Sequence, residues 1–329
     1  MSKFADEAAP KFKDSTEPTL ADFKEMSLAW LMQKFIEESE LPGSRRRGES
    51  SMYGMRAIQR DSLAKKNVCA IKAADYVDYG RRRIADGVKP STVNHDMSGI
   101  RVVLRHAMEV WEMDEVTLVA WQRAKTQMDK QGIVGKSAPR DRRPTPEEET
   151  QLRAHFAKQN EGRYSETDMV DVFDFQLASG RRISETCRMR VKDVDQEKRL
   201  AWVYNLKNPK GKGYHAQYPL LGKAWEIVKR RIDAMSNPHP EARVFPYNAK
   251  TCSQRFTLAK KALGIENLRL HDSRREALSR LFEAGYSVPQ VQKVSLHTNP
   301  SLLLGTYTKL PPDDPHRGPA GNRHSAEQR

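Results

Sequence analysis

Apolar residues recur at helical spacing through most of the first 130 positions. In "TLADFKEMSLAWLMQKFIEES", Leu20, Phe23, Leu31 and Phe35 are among the apolar positions of one amphipathic helix. "AADYVDYGRRRIADG" predicts a second helix, ended by Gly87. The clearest is "STVNHDMSGIRVVLRHAMEVW", where Val93, Met97, Ile100, Leu104, Ala107 and Trp111 step by four and three and form one stripe. Ser91 or Thr92 can cap it, and Arg101, Arg105 and His106 fall on its other face. The pattern predicts a bundle of about four helices with basic edges.

From Asp129 the pattern breaks. "DKQGIVGKSAPRDRRP" is rich in Gly, Pro and charge, as an interdomain linker is. Periodicity resumes at "TPEE", with Thr145 as N-cap, Pro146 in the first helical position and Glu148 closing a capping box. "MVDVFDFQLASG" predicts a helix ending at Gly180. "RLAWVYNL" and "YHAQYPLL" predict two strands around the turn "KNPKGKG". Helices are expected over 223–236, 251–263, 271–284 and 288–295. The expected organisation is a flexible lead-in (1–18), a helical domain (19–128), a linker (129–144), a mixed domain (145–310) and a polar tail (311–329). The fold class is mainly α with a small antiparallel β-hairpin or sheet in the C-terminal domain, and no internal repeat is visible.

Composition narrows the partner. Lys and Arg number 57 against 43 Asp and Glu, giving a formal net charge of +14, which suits a polyanion. Cys69, Cys187 and Cys252 have neither metal-ligand nor disulfide spacing, as expected in a reducing compartment. No apolar run is long enough for a membrane span, and the N-terminus lacks the apolar core of a secretion signal. The expectation is a cytoplasmic protein.

Four patches in the second half share a chemical theme. "ASGRRISE" follows a helix end with Arg181, Arg182 and Glu185, the last spaced to orient Arg182. Taken alone it reads as a solvated arginine pair at a helix boundary. The hairpin "LKNPKGKG" puts Lys207, Lys210 and Lys212 in or beside one turn. "HDSRR" sets His271 and Arg274 one helical turn apart, with Arg275 next. A helix entrance favours anions, so cations placed there suit an anion arriving from outside. "SLHTNPSLLLGTY" holds His297 and Tyr307, each by itself more often structural than catalytic. Together the groups make a set for phosphoryl transfer by protein side chains: guanidiniums for transition-state charge, an imidazole base, a lysine acid and a phenol nucleophile.

In this order the patches resemble the catalytic domain of the tyrosine recombinases, the phage integrase family: a G-x-R-x-S-E box, a lysine hairpin, H-x-x-R, then a histidine and a tyrosine near the C-terminus. The helical first half resembles the family's core-binding domain, so the resemblance spans roughly residues 20–310. It implies a site-specific DNA recombinase. Tyr307 would attack the scissile phosphate to give a 3′-phosphotyrosyl bond and Arg182 and Arg274 would clamp its oxygens. Lys207, with Lys210 as runner-up, would be the general acid, His271 the base and His297 a hydrogen-bond donor. Glu185 would hold Arg182 in place. Arg45, Arg46, Arg47, Arg101, Arg105, Lys210, Lys212 and Arg275 would contact DNA. No ATP or metal is implied, and strand exchange implies a homo-tetramer on double-stranded DNA, monomeric or weakly associated when free. Accessory DNA-bending or directionality proteins and a bacterial or phage setting, close to the nucleoid, are further expectations.

Three positions depart from the family pattern. Leu296 stands where a glycine is usual, Arg275 where a histidine commonly follows the arginine, and ten residues rather than nine separate His297 from Tyr307. One extra helical residue turns a side chain by about 100°. Two alternatives stay open: a type IB topoisomerase-like nicking and resealing protein, and a catalytically degenerate DNA-binding regulator. Beyond Tyr307, an extended piece near Thr308–Pro312 is expected to dock on a neighbouring protomer.

Overall fold

The computed structural model describes residues 25–42, 44, 48–138, 140–161, 168–206 and 214–307. The chain divides into two compact units, Met1–Pro139 and Arg140–Arg329. No described helix is long and apolar enough to cross a membrane.

The described part of the first unit holds five α-helices rather than about four: α1 (Leu28–Glu40), α2 (Glu49–Gln59), α3 (Ala73–Ala85), α4 (Pro90–Val110) and α5 (Val116–Lys130). Helix α1 is capped by Ser27, whose side chain accepts the Trp30 N–H; Leu20 and Phe23 of the expected helical run lie outside the described residues. In α4 the expected stripe is buried in full, from Val93 through Ala107 to Trp111. Its start differs from expectation. Pro90 takes the first position behind Lys89, which leaves Ser91 and Thr92 inside the first turn.

A buried carboxylate ties α3 to α4. Asp96 accepts from the Tyr79 hydroxyl at 2.8 Å and from Arg83 Nε at 3.1 Å. Gly80 is required by close approach, since a Cβ there would stand 2.2 Å from Met128 Cε and 2.6 Å from Ile133 Cγ2. Ile133 and Val134 are themselves buried in this unit, and the Gly135 N–H donates to the Pro90 carbonyl. The stretch expected as linker is therefore held to the first unit at its start, with Ile133 packed into the space that Gly80 leaves and Val134 buried beside it in sequence.

The second unit begins with the other half of that stretch held down as well. Arg140 donates to Asp272 at 2.7 Å and to the Asn267 carbonyl at 2.7 Å, while Arg143 pairs with Glu276 and Glu283. Helix α6 (Pro146–Glu161) opens on the expected capping box, with Thr145 N–H to Glu148 at 2.9 Å and Glu148 N–H to Thr145 Oγ1 at 3.2 Å. Helix α7 (Met169–Ser179) is buried on nearly every side, including Asp171 and Asp174. Each of those carboxylates is met by two cations, Arg230 and Arg231 for Asp171 and Arg153 and Lys223 for Asp174. Paired in this way, buried charge is tolerated.

After the short α8 (Ile183–Thr186) the chain builds a three-stranded antiparallel sheet in the order β1 (Val194–Asp195), β2 (Leu200–Leu206), β3 (Tyr214–Pro219). Ala201 pairs with Tyr218 and Val203 with Ala216. Ala201 and Val203 are buried, whereas Trp202 and Tyr204 are exposed, as alternation along a strand requires. Helices α9 (Lys223–Asp233), α10 (Ala249–Ala262), α11 (Asp272–Glu283), α12 (Val288–Ser295) and α13 (Pro300–Tyr307) complete the unit. The last was not expected as a helix, because "PSLLLGTY" carries no polar face to give it a period.

Candidate active site

Three chain ends converge in the second unit. They are the left-handed turn after α7, the entrance of α11 and the exit of α12. Gly180 ends α7 at φ 62°, a conformation open to glycine at little cost, and a Cβ there would press on Leu278 at 3.1 Å. The next residue but one, Arg182, precedes α8. Its Nη1 donates to Glu185 Oε1 at 2.7 Å, and its backbone N–H donates to Glu185 Oε2 at 3.3 Å. The expected spacing of Arg182 and Glu185 thus brings them into contact.

Arg274, on the first turn of α11, is 2% exposed. Its guanidinium donates to the carbonyls of Gly180 and Ser295, the latter at 2.8 Å, and so links the two other chain ends. Both acceptors lie at helix ends, where carbonyls lack partners within the helix. The same nitrogen that reaches Ser295 lies 3.2 Å from His297 Nε2 and 3.4 Å from Nδ1.

Helix α12 exits through Leu296 in the left-handed region, at φ 54° and ψ 34°. That places His297, the next residue, back toward Arg274. A left-handed residue is the physical reason that a glycine suits this position, and here a leucine adopts it. Leu296 is partly buried against the core of the unit.

His271 is the N-cap of α11, with no side-chain capping bond, and it is open to solvent on one side and in part screened by the protein around it. Desolvation, then the positive charges of Arg274 and Arg182, hold its imidazole below the ordinary range. Desolvation and the same two arginines push His297 down to about 3. The same two arginines thus act on both rings. Each imidazole is accordingly neutral near pH 7, with one nitrogen able to accept and one N–H to donate. Asp272, in the first turn of α11, supplies negative charge at the entrance, but Arg140 and the Arg269 N–H occupy it.

Sequence reasoning missed Arg181. It is not half of a solvated pair: its side chain is fully buried, beside a half-exposed Arg182. Its guanidinium donates to the Val294 carbonyl and lies 4.4 Å from the Tyr218 ring centroid and 3.6 Å from Glu185. Two of its nitrogens, Nε and Nη1, have no hydrogen-bond partner among the described residues. Nothing in "GRRISE" separates the two arginines by environment.

Other expected residues fall elsewhere. Arg275 follows Arg274 on α11 and is partly buried. Arg101 and Arg105 lie on the exposed side of α4 in the first unit, Arg101 5.5 Å from the Trp121 ring centroid and Arg105 paired with Glu109 at 2.8 Å. His106 does not belong to that basic face. It meets Glu38 at 2.8 Å and packs edge-on against Phe35 and Trp111. Tyr307 is the last residue of α13. Arg45, Arg46, Arg47, Lys207, Lys210 and Lys212 lie outside the described residues, as do the lead-in, the Thr308–Pro312 segment and the tail.

Residues 144–313 match the phage integrase family. A shufflon-specific DNA recombinase of Escherichia coli is 26% identical over 291 residues, covering 87% of this chain and 70% of that protein. Among solved structures, the Tn1549 transposon integrase in complex with a circular intermediate DNA superposes with a TM-score of 0.64 at 18% identity, over 88% of this chain and 97% of that one. A lambda integrase tetramer bound to a Holliday junction gives 0.60 at 16% identity, over 83% and 75%. At these identities the solved structures show a shared fold.

Proposed function

Because the chain belongs to the phage integrase family, and is by that membership a tyrosine-type site-specific recombinase, we propose how its residues carry the reaction. The substrate is double-stranded DNA. The Tyr307 hydroxyl attacks the scissile phosphorus and passes its proton to neutral His271. A bond forms between the tyrosine oxygen and phosphorus while the bond to the 5′-oxygen breaks, and Lys207 protonates that oxygen as it leaves. Arg182 and Arg274 neutralise the non-bridging oxygens, for which a planar guanidinium with paired donors is suited. His297 adds an N–H donor. Attack by a 5′-hydroxyl on the phosphotyrosine reverses the steps and joins the strands, so bond energy is conserved and no nucleotide cofactor is consumed.

One observation carries the reading: Arg182, Arg274 and two neutral imidazoles are gathered at three converging chain ends, with Glu185 committed to Arg182. This leaves a region of net positive charge fitted to one phosphate. The first unit serves as the core-binding domain, with Arg101 and Arg105 on phosphates, and the second is the catalytic domain. Four protomers on two duplexes complete an exchange, as in the lambda integrase tetramer on a Holliday junction. The reaction takes place where the DNA is, in the cytoplasm.

Supercoiled plasmids carrying two copies of the target site separate this reading from nicking and resealing alone. Deletion or inversion between sites is the expected product. Relaxation at equal rates on plasmids with one site, two sites or none would indicate a topoisomerase-like activity instead.

A further inference from the structure

Arg181 has no part in the mechanism above, yet among the described residues of the second unit no other charged side chain is as deeply buried. We propose that Arg181 is a positioning residue for cleavage: its guanidinium ties the Gly180–Glu185 segment to the exit of α12 and so fixes where His297 meets the phosphate. This rests on the reading of the site as a cleavage centre.

Three contacts support it, each from a different element. From α12, the Val294 carbonyl accepts a hydrogen bond from Arg181. From β3, the Tyr218 ring lies under the guanidinium, with its centroid 4.4 Å away. From α8, Glu185 lies 3.6 Å from Nη1 while its other oxygen holds Arg182. Val294 is three residues before His297, and the carbonyl of the intervening Ser295 is held by Arg274. Two buried guanidiniums therefore grip consecutive carbonyls at the end of α12, one from each side of the site. Remove one and the left-handed turn at Leu296 loses half of its anchor.

Packing does not account for an arginine here. A long apolar side chain would fill the same space without the desolvation that a buried cation suffers. The charge also reaches His297, joining Arg274 and Arg182 in keeping its ring neutral. Glu185 gains a second cation, which lets Arg182 turn part of its donor set toward substrate while the carboxylate stays ionised.

The test is a double-mutant cycle on single-turnover cleavage of a nicked duplex bearing the target site, with DNA affinity measured alongside. Wild-type cleavage establishes the underlying reading; the proposal is judged on the variants. We expect R181M to bind DNA within about twofold of wild type but to cleave about tenfold more slowly or worse, and R181K to recover part of the rate. In an H297A background, R181M should add less than about twofold. The proposal is overturned if R181M cleaves like wild type, or if it slows H297A by the same factor as wild type. Should R181M fail to fold, the same cycle with R181Q decides.

Discussion

Arg274 Nη2 lies 3.2 Å from His297 Nε2 and donates to the Ser295 carbonyl, while Nη1 holds the carbonyl of Gly180. One buried cation thus links the helix ends of the site and, after desolvation, helps to keep its neighbour neutral.

That relationship fixes a pH dependence. The folded state holds His297 down to about 3, whereas an unfolded histidine titrates near its ordinary value of about 6.5. Between these values the unfolded chain binds the extra proton, so stability is complete above about pH 6.5 and falls as the pH drops toward 3. The loss attributable to one such group is at most about 1.4 kcal/mol per pH unit. His271, shifted the same way, adds to it. Urea unfolding at pH 7, 6 and 5 checks this: the slope should shrink in His297→Ala, and an unchanged slope would remove His297 from the account.

Glu185 is shared by Arg181 and Arg182, and it is almost fully buried. Burial pushes its pKa up, but the two arginines outweigh that and hold it below the usual carboxylate range. Glu185→Gln keeps an acceptor and removes the charge, leaving two guanidiniums opposed. The expected cost is about 3 kcal/mol in urea unfolding, with cleavage slowed about tenfold or more. Full stability in this variant would show that the carboxylate's charge is unimportant.

Leu296 pays for its left-handed conformation at φ 54°. Glycine would relieve about 1 kcal/mol of strain and forfeit a similar amount of apolar burial, so Leu296→Gly should lie within about 1 kcal/mol of wild type. Leu296→Ile, branched at Cβ, should lose about 1–2 kcal/mol beyond that. Chemical denaturation of the pair measures both. Equal stability of the isoleucine variant and wild type would contradict the strain argument.

Arg143 bridges two residues of α11, the buried Glu276 and the exposed Glu283. Those carboxylates hold its pKa well above the ordinary arginine value. Arg143→Ala leaves Glu276 with Arg280 alone and should cost about 1–3 kcal/mol, measured by urea unfolding. An unaltered midpoint would mean that this end of the expected linker contributes nothing to the unit.

The bundle of the first unit was legible because each long helix has one apolar face, as the fully buried stripe of α4 shows. The two strands and the Thr145 capping box were legible for similarly local reasons. What escaped was set by tertiary contact. Ile133 and Val134 sit among Gly and Lys in a sequence that looks like linker, and the space that Gly80 leaves for Ile133 lies on a helix far back in the chain. Helix α13 has an apolar middle with Ser301 and Thr306 near its two ends, so it has no period to read. In the site, spacing linked Arg182 to Glu185 and marked His271 with Arg274. It could not tell that Arg181 turns inward and Arg182 outward, nor that backbone carbonyls at two helix ends hold Arg274.

The most direct measurement is covalent capture on DNA. Protein is mixed with nicked duplexes drawn from the DNA flanking its own gene, with EDTA present, and denatured in SDS beside the Tyr307→Phe variant. The account predicts an SDS-resistant protein–DNA adduct with the wild type alone, undiminished by EDTA. An adduct that persists in Tyr307→Phe, or that forms only with a divalent metal, would contradict it.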